Sequence, residues 1–241
     1  MARTVGATIR FDPKASRPKN GIALIYDLEG FSRFFNQPDV QDYVPKFLNH
    51  VSGAISTVFY GGESYKEADE EKVTGPLPPP MHEKFLGDGA LYIWTPPGTE
   101  TDFDENFVAT LCNRLWNLKT FFAKEVLPLA ADDVPVFEVP QRIRFGLARG
   151  TIYELTKSGS AEKEYIGFCV NLASRLQHYC PQLGFIASAR LGLSKTILDA
   201  NDYEKVVATK IKGFPKEIVI VDKNEFKRLE PAVRDELFTK I

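Results

Sequence analysis

Apolar residues recur along the chain with two different spacings, and each spacing predicts one kind of element. A short apolar run over 21–27 that ends in an acid is typical of a buried β-strand. Apolar residues at three- and four-residue steps over 40–58 and 103–126 predict two amphipathic helices, and Pro45 is expected near the first turn of the first one. Two short runs around Gly87-Asp88-Gly89 predict a β-hairpin that turns at the acid.

The second half of the chain continues with similar patterns. A second hairpin is predicted to turn at Arg149 and Gly150, and a polar loop is predicted to follow it over 157–163. The remaining predicted elements are a helix over 168–179, strands over 205–212 and 216–221, and a C-terminal helix over about 224–240. This order predicts an α+β fold of the ferredoxin-like kind, in which helices cover one mainly antiparallel sheet.

One segment interrupts these patterns. Residues 63–82 are charged and then rich in proline, a composition that does not bury a core, so we expect an exposed insertion there. The other patterned segments extend over about 20–221. We therefore expect a single domain over 1–241 that carries an insertion, because a chain of 241 residues suits one generous domain.

Composition narrows the classes of function. The 30 basic and 32 acidic residues give a net charge of −2, which does not favour a nucleic acid or a membrane surface as the partner. The three cysteines have no metal-binding spacing and fit reduced, buried thiols. No apolar run approaches the roughly 20 residues of a membrane span, so we expect a soluble, cytoplasmic protein.

Two acids occupy positions that suit metal binding. Asp27 ends the first predicted strand and Asp88 lies in the tight turn of the first hairpin. If these strands are neighbours, the two carboxylates meet at one sheet edge and provide hard oxygen ligands for Mg²⁺ or Mn²⁺. Each acid also has an ordinary structural explanation, because Asp favours hairpin turns and helix caps.

The predicted helix over 168–179 has one apolar face and one polar face. Asn171, Arg175 and His178 fall within a narrow polar arc at 100° per residue. Such a pair of an amide and a guanidinium could orient a ribose and stabilise charge on phosphorus. A solvated helix face is the alternative explanation.

Taken together, these residues resemble class III adenylyl and guanylyl cyclases. The matching segments appear in the family's order over about 21–221: Asp27-Leu28-Glu29-Gly30-Phe31-Ser32, Lys84-Phe85-Leu86-Gly87-Asp88-Gly89, Gly146-Leu147-Ala148-Arg149-Gly150, Gly167-Phe168-Cys169-Val170-Asn171-Leu172-Ala173-Ser174-Arg175-Leu176 and Lys212-Gly213. The resemblance implies the cyclase form of the α+β fold, a nucleoside triphosphate substrate, and a head-to-tail homodimer with shared active sites.

The resemblance also implies a role for individual residues. Asp27 and Asp88, with the carbonyl of Leu28, would hold two Mg²⁺ or Mn²⁺ ions. Asn171 would position the ribose and Arg175 would stabilise the transition state. At the phosphates, the resemblance implies contacts from Lys212 and from the backbone amides near Phe31. At the base, it implies contacts from Lys84 and Glu164.

The base is the least determined part of this prediction. Lys84 excludes the guanylyl pattern, because an ammonium cannot accept hydrogen bonds from guanine. Glu164 stands where adenylyl cyclases have Asp or Thr, and its extra methylene could shorten the pocket to fit a smaller base that accepts from Lys84. The absence of a receptor domain and the insertion before Lys84 are similar to the bacterial pyrimidine cyclases of Pycsar anti-phage systems, whose cyclic UMP or CMP a separate effector protein recognises. UTP is therefore the predicted substrate.

Two alternatives to a UTP-specific cyclase stay open. One is an adenylyl cyclase that makes cyclic AMP. The other is a catalytically inactive cyclase fold that acts as a regulatory module, although such relatives typically lose an Asp, the Asn or the Arg that this chain retains.

Overall fold

The computed structural model describes residues 10–61, 76–131, 134 and 138–240. Its strands are β1 (Lys19–Glu29), β2 (His82–Phe85), β3 (Gly89–Trp94), β4 (Arg142–Thr156), β5 (Lys163–Gly167), β6 (Phe185–Ser188), β7 (Tyr203–Ile211), β8 (Phe214–Asp222) and β9 (Phe238–Thr239). Its α-helices are α1 (Phe31–Phe35), α2 (Val44–Tyr60), α3 (Glu105–Glu125), α4 (Leu127–Ala131), α5 (Phe168–Tyr179), α6 (Lys195–Ala200), α7 (Lys223–Arg228) and α8 (Pro231–Leu237). Short 3₁₀ helices cover Val40–Asp42 and Ala189–Leu191.

All of these strands belong to one mixed sheet. The order is β2-β3-β1-β4-β6-β8-β7-β9, with β5 paired to β4 outside this path. Among the strands of the described residues, only the pairing of β4 with β6 is parallel. The predicted α+β architecture, one mainly antiparallel sheet covered by helices, is therefore confirmed.

The central strand β1 is buried on both faces and separates two apolar layers. Leu24 and Leu28 point into the layer that contains α2 and α3, whereas Ala23 and Ile25 point into the layer that contains α5. This two-sided burial explains why the sequence of β1 is a continuous apolar run without alternation.

Helix α5 packs unusually close to the sheet. A Cβ added to Gly146 of β4 would lie 2.1 Å from the carbonyl oxygen of Ala173 and 2.6 Å from the amide nitrogen of Gln177. Only a glycine therefore allows α5 to lie on β4 at this point. The close packing fixes the position of the polar face of α5 relative to the sheet.

The predicted hairpin at Arg149 and Gly150 was wrong. β4 continues through both residues as one 15-residue strand. Gly150 pairs with Gly21 of β1. A Cβ added to Gly150 would lie only 2.6 Å from the ring of Phe168. The glycine therefore serves close packing in an extended strand, and the true turn is the polar segment before β5. Neither β5 nor β6 was predicted.

One other prediction needs correction. The C-terminal segment is not one helix over 224–240 but the two helices α7 and α8, which are interrupted before Pro231. Most of the predicted insertion over 63–82, namely residues 63–75, lies outside the described residues. Its proline-rich end is mainly exposed, but Leu77 is buried and Pro78 accepts a hydrogen bond of 2.9 Å from the indole of Trp94.

Two further details agree with the sequence. Pro45 lies in the first turn of α2, as expected. The three cysteines are free and buried. No helix among the described residues has the length and hydropathy needed to cross a membrane.

Candidate active site

The two acids predicted to bind metal lie side by side at one end of the sheet. Asp27 is near the end of β1, and Asp88 occupies the turn between β2 and β3. The register of β1 with β3 places Asp27 opposite Gly89. The amide of Leu28 also donates a hydrogen bond of 3.0 Å to the carbonyl oxygen of Asp88. The fold therefore brings Asp27, Leu28 and Asp88 together.

The charges of these acids favour a bound cation. Burial raises the pKa of Asp88 above its ordinary value, and the neighbouring Asp27 carboxylate raises it further. A divalent cation would relieve this repulsion, and carboxylate oxygens are the ligands that Mg²⁺ and Mn²⁺ prefer. Among the described residues there is no metal-binding group of three or more His, Cys, Asp or Glu side chains. The two carboxylates and a backbone carbonyl nevertheless form a donor set that fits a hard divalent ion.

Arg144 is a third charged residue at this end of the sheet, and the sequence analysis missed it. It lies directly opposite Asp27 in the pairing of β1 with β4 and forms an ion pair with it. Both side chains are only 14% exposed. The one sequence signal was a charged residue inside an apolar strand, two positions before Gly146. Its contact with Asp27 depends on a strand register that the sequence does not show.

The polar face of α5 is exposed, as its pattern predicted. Asn171, Arg175 and His178 are exposed, whereas Cys169, Leu172, Ala173 and Leu176 are buried against the sheet. His178 is near enough to Asp88 to affect the pKa of that acid, although burial is the largest cause of the shift. Because α5 rises 1.5 Å per residue, Asn171 and His178 are separated by about 10 Å along the helix axis.

The predicted base-contacting residues Lys84 and Glu164 are in direct contact. The Nζ atom of Lys84 lies 2.5 Å from Oε2 of Glu164. In the sheet, β2 and β5 are separated by β3, β1 and β4. This ion pair, together with the rings of His82 and Tyr165 at 4.6 Å, therefore requires the sheet to curl until β2 approaches β5.

The two predicted phosphate-binding residues lie elsewhere. Phe31 is half-buried and begins α1, directly after Gly30. Lys212 is exposed in the turn between β7 and β8. Phe214, two residues after Lys212, packs edge-on against Phe168 at 5.2 Å, so this turn lies near the start of α5.

Several solved structures that share this fold are nucleotide cyclases. The adenylyl cyclase CyaB from P. aeruginosa is 16% identical, with a TM-score of 0.54 over 86% of this chain and 96% of that chain. A bacterial light-regulated adenylyl cyclase is 17% identical, with a TM-score of 0.53 over 86% of this chain and 92% of that chain. The guanylyl cyclase Cya2 is 15% identical, with a TM-score of 0.53 over 87% of this chain and 93% of that chain. No family model and no curated protein sequence matches the chain.

The protein therefore has the fold of the cyclase catalytic domains. The likeness covers more than nine tenths of the length of each of these three cyclase chains.

Proposed function

We propose that this protein is a metal-dependent nucleotidyl cyclase, which converts a nucleoside triphosphate into its 3′,5′-cyclic monophosphate and pyrophosphate. The observation that carries the proposal is the contact between the ends of β1 and β3, where Asp27 and Asp88 lie together in a cyclase fold. An inactive regulatory module would not need to hold two repelling carboxylates at this position.

Asp27, Asp88 and the carbonyl of Leu28 would hold two Mg²⁺ or Mn²⁺ ions. When bound, the ions would lower the pKa of the ribose 3′-hydroxyl and neutralise charge on the phosphates. The 3′-oxygen would bond to the α-phosphorus as the bond from that phosphorus to the α,β-bridging oxygen breaks, so that pyrophosphate leaves and the hydroxyl proton passes to solvent.

The remaining residues would bind and orient the substrate. Asn171 would hold the ribose, and Arg175 would donate hydrogen bonds to the α-phosphate as its charge develops. Lys212 and the amides near Phe31 would bind the other phosphates. Arg144, which neutralises Asp27 in the absence of metal, would keep that carboxylate oriented.

A head-to-tail homodimer would complete each site. Within one chain Asn171 lies about 10 Å along α5 from His178, the residue of this helix that influences Asp88. A second copy would supply the Asn171 and Arg175 that face the metal residues. Exposed apolar side chains on two hairpins support such an interface: Phe85 of β2, and Tyr153 and Ile166, which pair across β4 and β5.

UTP is the substrate that we propose. Lys84 can donate to a carbonyl oxygen of a pyrimidine, and its contact with Glu164 supports the two residues acting together, as the resemblance implies for the base. ATP is the second candidate. The product, cyclic UMP, would act as an antiviral second messenger that a separate effector protein recognises.

The test is an incubation of the purified protein with Mn²⁺ and each of ATP, GTP, CTP and UTP, with products identified by mass spectrometry. We expect cyclic UMP from the wild type and none from Asp88→Ala. The control is Asp235→Ala, which removes an acid that is 74% exposed on α8 and should leave the rate unchanged. Cyclic AMP alone would refute the choice of UTP, and no cyclic product from a folded dimer would refute the cyclase.

A further inference from the structure

Glu164 is held by two lysines, of which the sequence analysis identified only one. Its Oε2 atom lies 2.5 Å from Lys84 and its Oε1 atom lies 3.1 Å from Lys157. The hydrogen bond from Lys84 is the largest cause of the lowered pKa of Glu164, and the hydrogen bond from Lys157 lowers this pKa further. Each carboxylate oxygen therefore already accepts from an ammonium group.

The backbone of Lys157 is fixed on both sides. It forms a β-bridge with Phe11, and its amide donates a hydrogen bond of 3.1 Å to the carbonyl of Glu162 across the turn before β5. Its Nζ atom also lies 2.6 Å from the carboxylate of Glu162. The ammonium is therefore positioned beside Glu164 by its surroundings before any ligand binds.

The two lysines change the hydrogen-bonding character of this surface. A carboxylate alone would accept hydrogen bonds from the exocyclic amine of adenine or cytosine. Between two ammonium groups each of its oxygens already accepts one hydrogen bond, and with Glu162, the other partner of Lys157, the four groups balance in charge. Such a surface offers N–H donors and favours a base that presents carbonyl oxygens.

We propose that Lys157 is a positioning residue for base selection: by holding Oε1 of Glu164 it favours uracil over bases that carry an exocyclic amine. This inference rests on the proposed function, in which Lys84 and Glu164 contact the base. Uracil and cytosine have nearly the same size and differ at positions 3 and 4: uracil has an N3–H donor and a carbonyl oxygen, whereas cytosine has an N3 acceptor and an exocyclic amine. The pair UTP and CTP therefore isolates the effect of Lys157 from that of pocket volume.

The experiment compares Lys157→Met with Lys163→Met, a matched lysine in β5 that pairs with Glu154 at 2.9 Å and not with Glu164. Each protein receives equal UTP and CTP with Mn²⁺, and the ratio of cyclic UMP to cyclic CMP is measured. We expect Lys157→Met to lower this ratio about tenfold, the value of one charge-assisted hydrogen bond. Lys163→Met should keep the wild-type ratio and Lys157→Arg should restore it.

Binding of 3′-deoxy-UTP and 3′-deoxy-CTP, which cannot cyclise, separates this inference from the proposed function. Calorimetry in Mn²⁺ should show the wild type favouring the uridine analogue and Lys157→Met losing that preference. This result without any cyclic product would support the role of Lys157 and reject the cyclase. An unchanged preference in Lys157→Met, an equal change in Lys163→Met, or a wild type that favours the cytidine analogue would overturn the inference.

Discussion

Replacing Arg144 by leucine tests the charge balance at the end of β1. Arg144 is the ion-pair partner of Asp27, and only 14% of each side chain is exposed. Its loss leaves two neighbouring carboxylates, Asp27 and Asp88, without a compensating charge. Breaking a buried ion pair by removing one partner costs about 3–5 kcal/mol. Since this pair retains some contact with water, we expect the lower limit, about 3 kcal/mol.

In a protein of this size such a loss lowers the Tm by about 6–12 °C. The free energy of unfolding is measured by urea titration without metal for the wild type, Arg144→Leu, Asp27→Asn and the double variant. The effects should be non-additive, because Asp27→Asn removes the carboxylate that Arg144 neutralises. Additive effects within about 0.5 kcal/mol would refute the coupling.

Mn²⁺ provides a second check on the same variant. A cation that binds the folded state alone stabilises it, and here it also replaces the missing guanidinium. Mn²⁺ should therefore stabilise Arg144→Leu more than the wild type. Arg190→Leu is the control, because it breaks another ion pair, with Glu217 at 2.7 Å, away from Asp27 and Asp88. Equal stabilisation of both variants by Mn²⁺ would contradict the proposed metal site.

Two shorter predictions follow from the site and the packing beneath it. Burial and the Asp27 carboxylate raise the pKa of Asp88 above 3.8. The protonated form of Asp88 therefore stabilises the fold fully below about pH 3.8, and this stabilisation is lost as the pH rises through the elevated pKa. Without metal, Asp88→Asn should therefore be more stable than the wild type at pH 7 but not at pH 3.5, and Mn²⁺ should stabilise only the wild type in thermal unfolding. Gly146→Ala should destabilise the fold by about 3 kcal/mol in urea, because its Cβ meets the backbone of α5. Gly53→Ala in α2, whose Cβ meets no described atom within 4 Å, should be neutral or stabilising.

The sequence predicted the elements whose pattern is local. Helices α2, α3 and α5 each bury one face against the sheet, so their apolar spacing is visible in the sequence. The neighbouring positions of Asp27 and Asp88 followed from two strand ends and one tight turn. These features depend on residues close in sequence, together with a single assumption about which strands are neighbours.

The features that were missed depend on contacts between distant residues. Gly150 resembles a turn residue in the sequence, but it is required by the Phe168 ring that packs against an extended strand. β5 is short and carries charged residues, so it lacked the apolar pattern of a strand. The contact of Glu164 with Lys84 requires the sheet to curl, and its contact with Lys157 requires the chain to turn back between β4 and β5. Local spacing in the sequence reveals neither.

The distribution of charge gives a physical reason for the proposed head-to-tail arrangement. The half of the site that would bind metal has two carboxylates, Asp27 and Asp88, against one guanidinium, and therefore an excess of negative charge. The half that would bind base, ribose and phosphate has an excess of positive charge, carried by Lys84, Lys157, Arg175 and Lys212 against Glu162 and Glu164. In a head-to-tail dimer, a two-fold axis brings the negative half of one copy against the positive half of the other. Opposite charges then face each other at both sites. A parallel arrangement would oppose like charges at both positions, so electrostatics alone favours the orientation in which the two copies share their sites.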